Sequence, residues 1–238
     1  MARLSQSHRR QQGLLANGVQ VMRIFRRHRH PRKGRITSAA RIDARERCSA
    51  STRCQAISEP AMPSIRYARP SDAKALAALA GETFRDTFGS VNAVEDMNLH
   101  CRTSYGEAIQ SAEISDAGMV TLLCEEGGNL TAFAQLRWSG APGCVSAKSP
   151  GEIQRLYVAK SWHGKGIAHD LMAACIREME SRESDVVWLG VRERNPRAMA
   201  FYRKFGFVEV GDHVFPLGTD PQRDIIMSRP VSHRPSGA

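Results

Sequence analysis

Nowhere does the 238-residue chain string together the roughly 18 apolar residues that a bilayer-crossing helix needs, so no membrane span is expected. The most apolar part of its N-terminal quarter, residues 13–25, is broken by Asn17, Gln20 and Arg23, which argues against a secretory signal. The six cysteines (Cys48, Cys54, Cys101, Cys124, Cys144 and Cys175) include no Cys-x-x-Cys pair and no histidine partner at zinc-finger spacing. Reduced thiols in a cytoplasmic protein are therefore the expectation. His163, His169 and His213 share no metal-ligand spacing on one face, and no metal is expected. There is no internal repeat.

Acidic residues are scarce at one end only. Residues 1–62 hold 14 Lys+Arg against 3 Asp+Glu, a net +11, while residues 63–238 hold 20 against 21. The overall pI near 9.8 thus describes the N-terminal quarter and not a folded basic face. That quarter, with clusters such as Arg26-Arg27-His28-Arg29, has few apolar residues at any steady period and reads as a disordered basic extension. It could be a nucleic-acid arm, an Arg-rich targeting segment or upstream sequence of little function. The last reading is preferred, and Met62 stands directly before the first strand. Nucleic acid is not expected as a partner.

What is present in the rest, with 42% hydrophobic and 24% charged residues overall, suits one sizeable core over residues 63–230, followed by a short flexible tail at 231–238. Residues 64–68 read as a strand. Pro70, Ser71 and Asp72 announce a helix that buries Leu76, Leu79, Ala80, Phe84 and Phe88 and leaves Glu82, Arg85 and Asp86 on or beside its other face. Met97, Cys101, Tyr105 and Ile109 repeat every fourth position, which predicts one more polar helical region over about 92–112. Residues 119–124 and 130–138 form a hairpin around Gly127-Gly128-Asn129, and the loop 139–150 leads to a central strand at 152–158. A helix from 167 to about 182 then crosses to a strand at 186–191, parallel to the last because the crossover is helical. Asn195 and Pro196 give the cap and first residue of a helix stopped by Gly206. Strands near 207–215 and 223–227 complete the sheet.

The most informative run is residues 152–175, read as strand, glycine loop and helix start. Gly164 and Gly166 allow turns closed to other residues. Ile167, Leu171, Cys175 and Met179 recur at helical spacing, so the N–H groups of His163, Gly164, Lys165, Gly166, Ile167 and Ala168 sit at a helix N-terminus, a place that favours an anion. A Rossmann fingerprint fails at His169, where its third glycine belongs, and a Walker motif fails because Gly164-Lys165-Gly166 lacks the hydroxyl.

Residues His163-Gly164-Lys165-Gly166-Ile167-Ala168 resemble the acyl-CoA loop Gln/Arg-x-x-Gly-x-Gly/Ala of the GNAT superfamily of N-acetyltransferases. They match at Gly166 and Ala168 and depart at His163. Asn195 through Phe207 is similar to the superfamily's Asn-x-x-Ala-x-x-Phe-Tyr-x-x-x-Gly-Phe segment. The resemblance covers about residues 64–228. Within it, Gln154 to Val158 and Gly211 to Gly218 are similar to bacterial spermine/spermidine-type acetyltransferases.

The resemblance implies an α/β (α+β) fold: a mixed, mostly antiparallel central sheet with two splayed parallel strands, flanked by helices. It implies acetyl-CoA as co-substrate and transfer of its acetyl group by direct attack of a primary amine, with a small polyamine as acceptor. A protein N-terminal or lysine acetyltransferase is the alternative, and a non-catalytic acyl-CoA-binding or nucleic-acid-binding module a further one. A homodimer stays open. The main chain of Leu156, Tyr157 and Val158 would pair with the pantetheine amides, the loop 163–168 would hold pyrophosphate, and Asn195 would bond the cofactor arm. Tyr202 would be the general acid, since a phenol stays protonated at neutral pH. Glu152 is the first candidate for general base and Glu82 the second; each could equally be a solvated or salt-bridged carboxylate. Lys165 and Arg155 could add charge toward the phosphates, with an exposed solvating role as the alternative. Trp162 is read as packing.

Overall fold

Two periodicities lay out the chain: apolar side chains two apart in strands, three or four apart in helices. The computed structural model describes residues 63–217 and 220–231; the basic extension 1–62 and the tail from 232 onward lie outside the described residues. Seven strands form one sheet, β1 (Ser64–Tyr67), β2 (Met119–Glu126), β3 (Asn129–Arg137), β4 (Pro150–Val158), β5 (Val186–Arg192), β6 (Val208–Leu217) and β7 (Asp220–Pro230), in the order β1-β2-β3-β4-β5-β7-β6. All neighbours are antiparallel except β4 and β5. The β2–β3 hairpin turns on Gly127 and Gly128 at φ of 57° and 80°, the left-handed conformation whose twist suits a two-residue antiparallel turn.

Among the described residues five α-helices cover the sheet: α1 (Ala73–Phe88), α2 (Val94–Ser104), α3 (Glu107–Ser115), α4 (Ile167–Ser181) and α5 (Pro196–Lys204). On α1, the five expected apolar residues are buried and Glu82, Arg85 and Asp86 are exposed. The single helical region expected over 92–112 is instead two helices. The Tyr105 ring inserts beside Phe84 and His100, its backbone leaves the helical region, and Gly106 is extended at φ −66°, ψ 151°. The four-residue repeat therefore holds from Met97 to Tyr105, and Ile109 belongs to a new axis.

The sheet separates two main cores, and a third, smaller cluster joins Val145, Trp188 and Ile226. One face packs on α4 and α5 through Ile153, Leu156, Val158, Leu171, Cys175, Leu189, Val191 and Ile225. The other packs on α1 and α2 through Leu123, Phe133, Tyr157, Phe84, Tyr105 and Phe215. Trp162 touches both, as expected of a packing residue.

Arg155 is not near the glycine loop. It points into the α1–α3 side, where Nη1 donates to Glu113 Oε2 at 2.6 Å and to Gln135 Oε1 at 2.5 Å, with the guanidinium 5.2 Å from the Tyr105 ring centroid. Burial explains this placement: Arg155 is 3% exposed, and a charge that deep must be paired. Glu113 also receives Gln110 Nε2 and Gln135 Nε2, so one carboxylate ties α3 to β3 and β4. Replacing Glu113→Ala strands the buried guanidinium, and the expected loss is about 3–5 kcal/mol of unfolding free energy, read from denaturant midpoints at constant m-value.

Candidate active site

The sheet opens in its middle. β4 and β5 pair only at Pro150–Val186, Gly151–Val187 and Glu152–Trp188. Beyond that point β4 stays with β3 and β5 stays with β7, and the two parallel strands part. A bulge helps to turn β4: Gln135 faces Arg155 while its neighbour Leu136 faces Ile153, leaving Gln154 as the extra residue, and such an insertion bends the strand that carries it.

Backbone direction alternates along a strand. Ala159 N–H donates to Thr131 O of the β3 side at 2.8 Å, so the N–H and C=O of Val158, and of Leu156 before it, face the parted edge. Tyr157 turns its main chain toward β3 and stacks its ring on Phe133. Of the three strand residues expected to meet a cofactor, Leu156 and Val158 therefore present main-chain groups to the gap. Buried main-chain groups on such an edge need a partner.

At the end of β4 the chain makes a 3₁₀ turn at Lys160–Trp162 and enters the glycine loop. His163, the position that departs from the family pattern, folds back so that Nε2 lies 2.8 Å from the Val158 carbonyl. A carbonyl can only accept, so Nε2 carries the proton. Gly164 and Gly166 have φ of 79° and 89°, closed to most side chains. Helix hydrogen bonding starts with His169 N–H to Gly166 O at 2.8 Å, which leaves the amides of Ile167 and Ala168 outside the helix's own ladder. Lys165 Nζ sits 3.7 Å from the Trp162 ring centroid, at the exposed rim of the loop. A loop with these amides and this cation suits a pyrophosphate.

Tyr202 lies on α5, fully buried, and its hydroxyl has no hydrogen-bond partner among the described residues. Burial pushes its phenol well above the ordinary value, with the Cys175 thiol adding to the effect. Asn195 caps α5, its Oδ1 accepting from Ala198 N–H at 3.2 Å. It also lines a depression of about 200 Å³ with Thr87, Phe88, Ser90, Val91, Arg192 and Arg194, between the end of α1 and the end of β5.

The carboxylates divide sharply. Glu82 stands on the exposed face of α1. Glu152 is 2% exposed and ion-paired with Arg137, at the paired end of the strands. Burial pushes it up to about 7 against the pull of Arg137. Sequence reasoning missed Asp224, which is wholly buried in β7 with both carboxylate oxygens unbonded among the described residues. Burial pushes it up to about 7, opposed by Arg192 and assisted by Glu193. A signal existed: an aspartate directly before Ile225-Ile226-Met227 is a poor strand residue in an apolar run.

The sequence profile of the acetyltransferase (GNAT) family matches residues 82–207, more than half the chain. The chain belongs to the GNAT family of acetyltransferases. An uncharacterized N-acetyltransferase from the pepI 3′ region of Lactobacillus delbrueckii subsp. lactis is 30% identical over 152 residues, 64% of this chain and 88% of the relative. An uncharacterized N-acetyltransferase of Mycobacterium bovis is 28% identical over 67% of this chain and 97% of the relative. Among solved structures, the PaiA N-acetyltransferase of Thermoplasma acidophilum in complex with coenzyme A matches with a TM-score of 0.56 at 21% identity, over 71% of this chain and 98% of that one. The ribosomal-protein-S18-alanine N-acetyltransferase of Escherichia coli matches with a TM-score of 0.53 at 20% identity, over 74% and 99%. This GNAT protein is an acetyl-CoA-dependent acetyltransferase with the mixed, mostly antiparallel sheet of that fold. Among the described residues, no helix is long and apolar enough to cross a membrane.

The raised carboxyl of Asp224 has a consequence for stability. A proton bound more tightly in the folded chain stabilises it fully below the unfolded value of 3.8, and that contribution is lost as pH rises through about 7. Asp224→Asn is therefore expected to raise thermal stability at pH 8 by on the order of 2–4 kcal/mol, with little change at pH 4, in paired calorimetric scans.

Proposed function

We propose that this GNAT protein moves an acetyl group from acetyl-CoA to the primary amine of a small polyamine in the cytoplasm. One observation carries the acceptor reading: Asp224, a buried carboxylate with no hydrogen-bond partner among the described residues, lies beside Gly190 on the stretch of β5 that β4 leaves unpaired. The cysteines described, Cys101, Cys124, Cys144 and Cys175, are free thiols, which suits a reducing compartment.

In this reading Leu156 and Val158 bond the pantetheine amides through the parted edge, and the amides of residues 163–168 with Lys165 hold the pyrophosphate. The Val158 N–H faces the developing oxyanion; a donor so placed contributes about 3 kcal/mol to lowering the barrier. Asn195 adds a polar contact to the cofactor arm. Tyr202 keeps its proton at neutral pH and delivers it to the departing thiolate. An unpartnered buried hydroxyl supports this role, because the departing sulfur would supply a partner that the described residues do not.

A second reading, acetylation of a protein N-terminus, is favoured by the arginines around the gap. Arg192 and Arg194 line the depression beside α1, and with Arg223 they line a second of about 210 Å³ beside β7. Guanidinium donors suit the carbonyls of a peptide and repel a polycation. One of the structural relatives is a ribosomal-protein-alanine acetyltransferase.

Coenzyme A release measured with spermidine, spermine, aminoglycosides, amino acids and alanine-ended peptides separates the two: the expected outcome is turnover with the polyamines, and turnover with peptides alone overturns it. Tyr202→Phe should lower kcat by about 100-fold or more while leaving coenzyme A affinity within a factor of about three; unchanged rates from pH 6 to 9 would remove Tyr202 from the chemistry.

A further inference from the structure

We propose that Asp224 is the carboxylate that receives the acceptor ammonium and takes its proton. This rests on the acetyltransferase reading and names the group which that reading lacks.

Gly190 sets the geometry. It lies on β5 two residues past Trp188, the last β5 residue paired with β4, and so on the strand edge that borders the gap. A Cβ built on Gly190 would stand 3.7 Å from Asp224 Oδ2 and 3.5 Å from His213 Cε1. Asp224 pairs across the sheet with Arg192 on one side and His213 on the other, which puts its side chain on the face shared by Trp188, Gly190 and Ile226. Without a side chain at 190, this edge of β5 lies directly against the Asp224 carboxylate and the His213 ring.

The second observation is the state of that carboxylate. Both oxygens are buried and neither has a hydrogen-bond partner among the described residues. An orphaned carboxylate costs several kcal/mol of folding free energy unless it is protonated or a partner comes from outside. The two carboxylates expected from the sequence are placed differently, Glu152 being held by Arg137 and Glu82 standing on the solvent side of α1.

The charged and titratable neighbours fit the role. Arg192 of β5 favours the ionised form, Glu193 opposes it, and His213 of β6 is pushed toward neutrality by burial. A carboxyl titrating near 7 is matched to accepting a proton at neutral pH. The step balances: one ammonium proton passes to Asp224, the freed nitrogen lone pair forms the N–C bond, and the C–S bond breaks. The leaving thiolate takes the Tyr202 proton, and the nitrogen's surplus proton restores the phenol.

The test compares full-length wild type, Asp224→Asn and Asp224→Glu, all shown folded by thermal melting and by coenzyme A affinity. With spermidine, Asp224→Asn should lose about 100-fold or more in kcat/KM and the limb of the pH profile near 7, and Asp224→Glu should recover part of both. With an arylamine, already neutral at pH 7, the Asn variant should lose less than about tenfold. Equal losses on the two amines, or a wild-type pH limb kept in Asp224→Asn, overturn the proposal. If wild type acetylates other panel amines but not spermidine, the polyamine reading falls while Asp224 is judged on the alkylamine that does react. If wild type binds coenzyme A but acetylates no amine, both fall.

Discussion

Three residue pairs hold β4 against β5, and the site depends on their ending after Glu152 and Trp188. Each strand keeps its outer neighbour, so the sheet loses no more than the inner ladder where it opens. The bulge at Gln154 turns β4 aside, and the helices that cover the two faces, α1 and α2 on one and α4 and α5 on the other, keep the split from closing or unravelling. The main chain of Leu156 and the N–H of Val158 are then left on an interior edge that a ligand with amides can complete, the Val158 carbonyl being held by His163. An ordinary parallel pair would have used those same groups to hold itself together.

Much of this frame was legible in the sequence because it rests on periodicity and on turn residues. The buried stripe of α1, the Gly127-Gly128 hairpin, the loop from Gly164 to Ala168 and the Asn195-Pro196 start of α5 each carry a local signal that the structure repeats. The break at Tyr105 was not legible, because the four-residue apolar spacing continues through it and only packing of the ring against Phe84 shows that the axis changes. Arg155 was misplaced for the same kind of reason. Sequence alone puts a cation eight residues before the glycine loop, but the bulge and the buried Glu113 decide which way it points.

The proposed acceptor group depends on residues distant in sequence. Gly190, His213 and Asp224 come from three strands, and their meeting follows from β7 inserting between β5 and β6. A pairing of β6 directly with β5 would have been equally consistent with the local pattern of these strands. It would have left Asp224 at the sheet edge, where a carboxylate needs no explanation.

The two titratable groups proposed for the chemistry stand on opposite faces of the sheet. Tyr202 belongs to the core under α4 and α5, and Asp224 to the face under α1 and α2. An opening between parallel strands is the one place in such a sheet where groups from both faces can reach the same ligand without crossing a hydrogen-bonded ladder. Separation also protects the proton states: a carboxylate and a phenol in direct contact would share a proton, whereas groups divided by the sheet can keep one deprotonated and the other protonated at the same pH. Their common lack of partners follows from the same arrangement. Among the described residues each is buried without a hydrogen bond, and in the proposed reaction an amine and a thioester would supply the missing partners.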